Sequence, residues 1–346
     1  MKAFWDPIQL IHSPRFFLQR GMVRQNYETP ARAEALLAAC EGMGMQITLP
    51  PAIDVQALEA VHSADYLAFL RDGPAAWDAM DDHGPEMVAN VHPTPEMLAN
   101  GARASTTIMG QVGWFVADAS CPISSTTWPA SLAAASGAIA AADTVAAGAH
   151  AFALARPPGH HAYAARAGGH CYLNNAAIAA ERLRARGAER VAVLDIDSHH
   201  GNGTQGIFWE RADVFFASIH GDPNGYYPWY VGHEGERGGG AGFGFNLNLP
   251  MARGSGDGPW LAAIDHALAE IRRFGGDALV ISLGFDASEH EPLHFLSVTE
   301  DGFARAGNAI AALGLKAALV QEGGYNTGVI GGLLGRFLEG LATGGQ

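Results

Sequence analysis

The chain has 346 residues, 48% of them hydrophobic and 16% charged, which excludes a disordered chain and leaves ample length for a sizeable core. Its net charge of −14 argues against nonspecific nucleic-acid binding and mildly favours a cationic small molecule as partner. No apolar run approaches the ~20 residues of a membrane helix, and the start, Met1-Lys2-Ala3-Phe4-Trp5-Asp6, lacks the apolar centre of a secretory signal.

In chain order, helical periodicity marks Ala31 to Cys40 and Val55 to Leu70. From about Asp72 to Thr127 the chain is rich in Pro, Gly, Met and Trp and has little periodicity, so a long insertion lying over the sheet is expected there. Beyond it, helices at Ser131 to Ala147, Asn174 to Arg186, Pro259 to Phe274 and Thr299 to Leu313 alternate with strand-like runs at Ala151 to Leu154, Arg190 to Leu194, Asp213 to Ile219, Asp277 to Leu283 and Ala317 to Gln321. Short apolar strands alternating with helices predict an α/β chain, a single domain over 1–346, with a parallel β-sheet sandwiched by helices. Cys40, Cys121 and Cys171 are odd in number and share no C-x-x-C spacing, so reduced thiols and a cytoplasmic setting are expected, without a structural zinc knuckle.

The chemistry is written where the predicted strands end. Val191 to Leu194 runs into Asp195-Ile196-Asp197-Ser198-His199-His200-Gly201-Asn202-Gly203, an apolar strand opening into two carboxylates, two imidazoles and a glycine-rich turn. Extended geometry, if it persists, puts Asp195, Asp197 and His199 on one side of the chain. The other strands lead into Arg156-Pro157-Pro158-Gly159-His160-His161, His220-Gly221-Asp222-Pro223, Gly284-Phe285-Asp286 and Glu322-Gly323-Gly324-Tyr325. In a parallel sheet these ends converge on one rim. Any one of them reads equally well as a polar turn; five together point to a metal site with a general base.

Asp197, His199 and Asp286 supply two carboxylates and an imidazole with coordination positions left open, as a catalytic zinc site requires, and Fe(II) accepts the same donors. Asp286 also reads as a helix N-cap before Ala287-Ser288-Glu289. Asp195 suits a supporting role as acceptor from a neighbouring imidazole. His220 and His233 read as loop histidines outside the site, and His200 as a packing or supporting residue.

Taken together, Arg156 to His161, Gly169-His170-Cys171-Tyr172-Leu173-Asn174-Asn175-Ala176, Asp195 to Gln205, Ser218 to Pro223, Ser282 to Asp286 and Glu322 to Tyr325 resemble the histone deacetylase superfamily, within the arginase/deacetylase fold. Val61-His62-Ser63-Ala64-Asp65-Tyr66 and Thr127-Trp128 extend the likeness into the N-terminal half. The closest groups are the bacterial acetylpolyamine amidohydrolases and class II histone deacetylase-like amidohydrolases. The resemblance implies metal-dependent hydrolysis of acylated amines, with His161 as general base and then acid, His160 as its electrostatic partner, Asp195 orienting His160, and Asn202 contacting His161. Class I enzymes carry an aspartate where Asn202 stands. Tyr325 would donate its hydroxyl to the developing oxyanion.

By the same resemblance a potassium ion would be held by Asp195, carbonyls of Asp197 and His199, the Ser218 hydroxyl and the Ile219 carbonyl. A peripheral one would use carbonyls of Phe208, Arg211, Val214 and Phe245. Gly169, His170, Tyr227 and Asp118 would meet the substrate, with His170 where an aromatic tunnel wall is usual, making a more polar, pH-sensitive tunnel. The acidic residues that guide polyamines in the best-matched groups align with Met22 and Ser120, leaving Asp118 or Glu28 as substitutes. The 72–127 insertion would narrow the mouth and contribute to a homodimer. The readings implied are a small-molecule deacetylase, a protein acyl-lysine deacetylase with Asp118 holding peptide backbone, and a noncatalytic binder of acylated amines. A binuclear arginase-like centre is disfavoured because ligands for a second ion are not evident.

Overall fold

A computed structural model describes residues 1–344; the last two positions of the expected 1–346 domain lie outside the described residues. Its ten strands are β1 (Lys2–Phe4), β2 (Phe16–Gln19), β3 (Met22–Gln25), β4 (Gln46–Thr48), β5 (Ala151–Ala153), β6 (Val191–Asp195), β7 (Val214–Gly221), β8 (Asn246–Met251), β9 (Ala278–Leu283) and β10 (Ala317–Gln321). Eight form one sheet in the order β4-β1-β5-β10-β9-β6-β7-β8, every pair parallel, while β2 and β3 make a separate antiparallel hairpin. The helices are α1 (Pro30–Gly42), α2 (Ala64–Asp78), α3 (Pro95–Ala99), α4 (Ile108–Phe115), α5 (Thr127–Ala146), α6 (Asn175–Ala185), α7 (Asn202–Phe208), α8 (Asp257–Phe274), α9 (Glu300–Ala311) and α10 (Ile330–Thr343).

The continuous apolar strands are explained by burial on both faces. Within β6, Val191 and Val193 face a core shared with α2, α4, α5 and α6, while Ala192 and Leu194 face the core of α1, α8, α9 and α10. β9 alternates the same way, Val280 to one core and Leu279 and Ile281 to the other. Alanine fills the sheet-facing side of α5, which lets that helix lie close to the strands.

Several expectations are revised. The predicted Val55–Leu70 helix splits into a 3-10 turn at Val55–Leu58 and α2. The break places the buried His62, whose Nδ1 faces the Tyr163 carbonyl at 3.1 Å and whose Nε2 accepts from the Asn174 amide at 2.9 Å. The 72–127 insertion is no loose cover: it holds the end of α2, α3 and α4, and buries Trp77, Met87, Val112, Phe115 and Ile123 in the core. The short β1 and β4, the β2–β3 hairpin, β8, α7 and α10 went unpredicted. All the strands with expected chemistry at their ends point the same way, so one rim gathers them.

Candidate active site

β6 ends at Asp195, earlier than strand alternation requires, and side-chain-capped turns do the rest. The Asp197 amide donates to Asp195 Oδ1 (3.1 Å) and the His199 amide to Asp197 Oδ1 (2.8 Å), so each acid folds the two residues after it. Asp286, in a turn two residues beyond the Gly284 that follows β9, accepts from the Ser198 amide (2.7 Å) through Oδ1 and faces His199 Nδ1 (2.9 Å) through Oδ2. No helix follows it, so the N-cap alternative falls away. Asp197 Oδ2 accepts from the Gly323 amide (2.8 Å), tying β10 to the same point.

One donor atom from each of Asp197, His199 and Asp286 lies within 4.8 Å of the others, all three residues buried. Burial alone would lower the His199 pKa; Asp286 and Asp197 outweigh it and hold the ring up to about 9. Among the described residues only histidines pair with these two acids, never Lys or Arg. Two buried carboxylates without a fixed cation are costly, so the cluster fits a divalent ion with oxygen and nitrogen ligands. Gly284 and Gly323 keep the space beside it open, since a Cβ at either would collide with the Asp197 or Asp286 carboxylate.

His160 and His161 follow β5, with ring centroids 4.0 Å apart. His160 Nδ1 meets Asp195 Oδ2 at 2.9 Å, and His161 Nδ1 meets Asn202 Oδ1 at 2.6 Å. The Asn202 amide nitrogen donates to the Tyr163 hydroxyl (3.0 Å), which turns its oxygen to His161 and leaves His161 Nε2 as the free basic position. Burial lowers both rings, but Asp195, Asp197 and Glu322 lift His160 well above the ordinary value. His161, with only an amide against it and charged His160 beside it, falls well below. Neighbouring groups pushed apart in this way divide into a fixed cation and a neutral base.

Tyr325 borders a cavity of about 490 Å³ that also exposes His161, His199, Gly169, His170 and Tyr227. Its amide donates to the buried Glu291 (3.0 Å), and the Arg32 guanidinium lies 4.7 Å from its ring centroid. Asp118 accepts from the Tyr227 hydroxyl (2.6 Å) and the Gly169 amide (3.1 Å), joining three of the expected substrate residues.

The chain matches the histone deacetylase domain model over residues 26–341. It is 46% identical over 328 residues to an acetylpolyamine amidohydrolase of Burkholderia pseudomallei, covering 94% of each chain. The crystal structure of an acetylpolyamine aminohydrolase from that organism superposes with a TM-score of 0.95 at 44% identity, covering 99% of both. A histone deacetylase-like amidohydrolase of Pseudomonas aeruginosa shares 39% over 202 residues, 55% of this chain and 52% of its own. This chain belongs to the histone deacetylase family. It is a hydrolytic deacetylase and its family is metal-dependent.

Within this deacetylase several expected residues lie elsewhere than anticipated. Glu28 is fully buried between Arg32 (2.5 Å) and Arg156 (2.8 Å), so it cannot meet a substrate cation. Met22 sits exposed on β3 and is absent from the cavity wall, which Ser120 does join. His220 is not a loop residue: β7 runs on through it, and it is buried with Nδ1 on Ser218 Oγ (2.9 Å) and Nε2 on the Gly232 carbonyl (2.8 Å). His233 stays outside the cluster, and His200 packs against His220 at 4.5 Å between centroids. Burial carries His170 down to about 4, so it is a neutral ring and not a neutral-pH sensor.

Asp195 and Ser218 are register partners on β6 and β7, with Ile219 next along. Phe208, Arg211, Val214 and Phe245 gather by the opposite end of β7, where the Phe216 amide donates to the Phe245 carbonyl (3.0 Å). Sequence reasoning missed Glu322, which accepts from the Gly159 (2.7 Å) and His160 (3.0 Å) amides, and Arg32, which donates to the carbonyls of Glu322 and Gly324 (2.6 Å each). It also missed Phe17 of the hairpin, packed edge-on to His170. Glu322 was visible as an acid at a strand end; Arg32 carried no signal.

Proposed function

We propose that this deacetylase removes acetyl (acyl) groups from small N-acylated amines, the acetylpolyamines in its relatives' names being the first candidates. The observation that carries the reading is the His160–His161 pair, one ring held cationic and one neutral, beside the Asp197–His199–Asp286 cluster at a cavity wall. Asp197, His199 and Asp286 would hold zinc, with Fe(II) as the alternative. When bound, such an ion polarises the amide carbonyl and lowers the pKa of water.

His161 Nε2 takes the proton of the attacking water and returns it to the departing amine. Asn202 fixes the ring's tautomer through Nδ1. His160, tied to Asp195, keeps a positive charge beside the developing negative one. Tyr325 supplies a hydroxyl to the oxyanion, with Glu291 holding its backbone amide and Arg32 lying over its ring. Potassium at Asp195, Asp197, His199, Ser218 and Ile219, and at Phe208, Arg211, Val214 and Phe245, belongs to the same proposal. So do a homodimer and a cytoplasmic setting, the latter supported by three free, buried cysteines. No described helix is long and apolar enough to cross a membrane.

Comparing kcat/KM on N-acetylputrescine and on an acetyl-lysine peptide tests the substrate class. Peptide turnover equal or greater would favour the protein-deacetylase reading, against which stands the engagement of Asp118 with Tyr227 and Gly169. Tyr325→Phe is expected to lower kcat by about a hundredfold or more. Undiminished turnover would remove the oxyanion role, and no turnover by the parent enzyme would leave the noncatalytic binder.

A further inference from the structure

We propose that Trp229 determines specificity by receiving the ammonium end of the substrate on its indole face. This rests on the small-amine reading and adds the group that recognises the substrate's tail. An acetylpolyamine carries a cation remote from its amide, yet among the described residues no carboxylate lines the cavity. Asp118 nearby is engaged inward, with Oδ2 on the Tyr227 hydroxyl and the Gly169 amide and Oδ1 on the Ser120 amide at 2.8 Å. Apart from histidine, the charged side chains on the wall are Arg20 and Arg253, and Arg253 lies over the Phe295 ring at 4.3 Å. What the wall offers a cation is therefore the face of an aromatic ring.

Two rows of rings leave the site along this wall. From His161 one passes to Tyr227, with centroids 4.9 Å apart, and on to Trp229 at 5.3 Å. The first ring is buried, the second partly buried and the third 55% exposed, so the row that starts at the base ends on an indole open to solvent. From Tyr325 the other passes through His170 (6.1 Å) and Phe17 (5.5 Å) to the exposed Tyr27 (5.9 Å). Both rows border the cavity throughout.

The position of Trp229 is unfavourable for the free protein. Its φ of 62° lies in the left-handed region, where a bulky side chain is strained, and its ring leaves apolar surface in water. The conformation is fixed from both sides: the Trp229 amide donates to the Tyr226 carbonyl (3.1 Å) and the Tyr230 amide to the Pro228 carbonyl (2.8 Å). A strained backbone that presents a large exposed ring to a cavity is accounted for by a ligand for that ring. Among side chains tryptophan has the strongest π face toward a cation, and the net charge of −14 draws cations toward the molecule.

N-acetyl-1,5-diaminopentane and N-hexylacetamide have the same length and differ in the charge of the far end. The parent is expected to favour the first in kcat/KM. Trp229→Leu should lower the ammonium-to-neutral ratio about fivefold, and Trp229→Phe, with a weaker π face, should lower it less. Measuring both amides on one preparation cancels any loss of folded enzyme. The gap between parent and Trp229→Leu should persist at raised salt, which screens the long-range field and spares a direct contact. Binding of the two amides to the Tyr325→Phe variant, by calorimetry, reads the ratio without turnover. If an acetyl-lysine peptide outruns N-acetylputrescine, the small-amine reading fails and the binding ratio still decides this one. A parent that favours the neutral tail, or a ratio unmoved by Trp229→Leu because both amides weaken equally or neither does, overturns the proposal.

Discussion

At the scale of single residues, the site depends on what each imidazole faces. His160 faces a carboxylate and is held cationic; His161 faces the oxygen of Asn202 and stays neutral. A neutral base works only above its own pKa. With His161 lowered, the acidic limb of kcat/KM is expected well below the ordinary histidine range. Asn202→Asp puts a negative charge on Nδ1, raises that pKa and moves the limb to higher pH, so activity is lost first under mildly acidic conditions. A pH–rate profile of the two proteins checks this, and coincident limbs would detach Asn202 from the base. Asp195, Asp197, His199 and Asp286 stood out by their types and their place at or just beyond a strand end. The reason they meet was misjudged: side-chain-capped turns bring them together where a pleat was expected.

At the scale of elements, β6, β9 and β10 were readable because burial on both faces leaves each a run of Val, Ile, Leu and Ala with a single polar residue. β1 and β4 were not, since three residues carry no period and each holds a polar residue, whereas the equally short β5 is wholly apolar. The Glu28 clamp was equally invisible, because its arginines lie on α1 and 128 residues away on the loop after β5, linked by no local pattern. Burial alone would raise the Glu28 pKa; Arg156 and Arg32 outweigh it and hold the carboxyl below its ordinary value. A depressed carboxyl contributes stability that is present above its unfolded pKa and lost as pH falls through the folded one. Glu28→Gln leaves two buried guanidinium groups unbalanced and should cost about 3–5 kcal/mol. Urea melts at neutral and acidic pH would show it, with the gap between variant and parent closing as pH drops. A loss under ~1 kcal/mol would mean that the clamp adds little net stability.

At the scale of the molecule, three strands of the sheet contribute to one cluster: β6 through Asp197 and His199, β9 through Asp286, and β10 through the Gly323 amide. An ion bound there joins them, so its removal should affect stability as well as turnover. Treatment with a chelator is expected to abolish hydrolysis and lower Tm by several degrees, and added zinc or Fe(II) to restore both. Activity untouched by exhaustive chelation would rule out the metal assignment. Fold class and sheet direction were legible from alternation of strands and helices.

The contact between Arg32 and the carbonyls of Glu322 and Gly324 spans 290 and 292 positions of the chain. During synthesis the arginine emerges early and must wait for nearly the whole polypeptide before its partners exist. Until then its charge is answered only by Glu28, and the loop that carries Tyr325 has not been made. A nascent chain without β10 therefore lacks both Tyr325 and the strand that joins β4-β1-β5 to β9-β6-β7-β8. Competence arrives as a late event, when the final strand slots between β5 and β9 and brings the tyrosine with it.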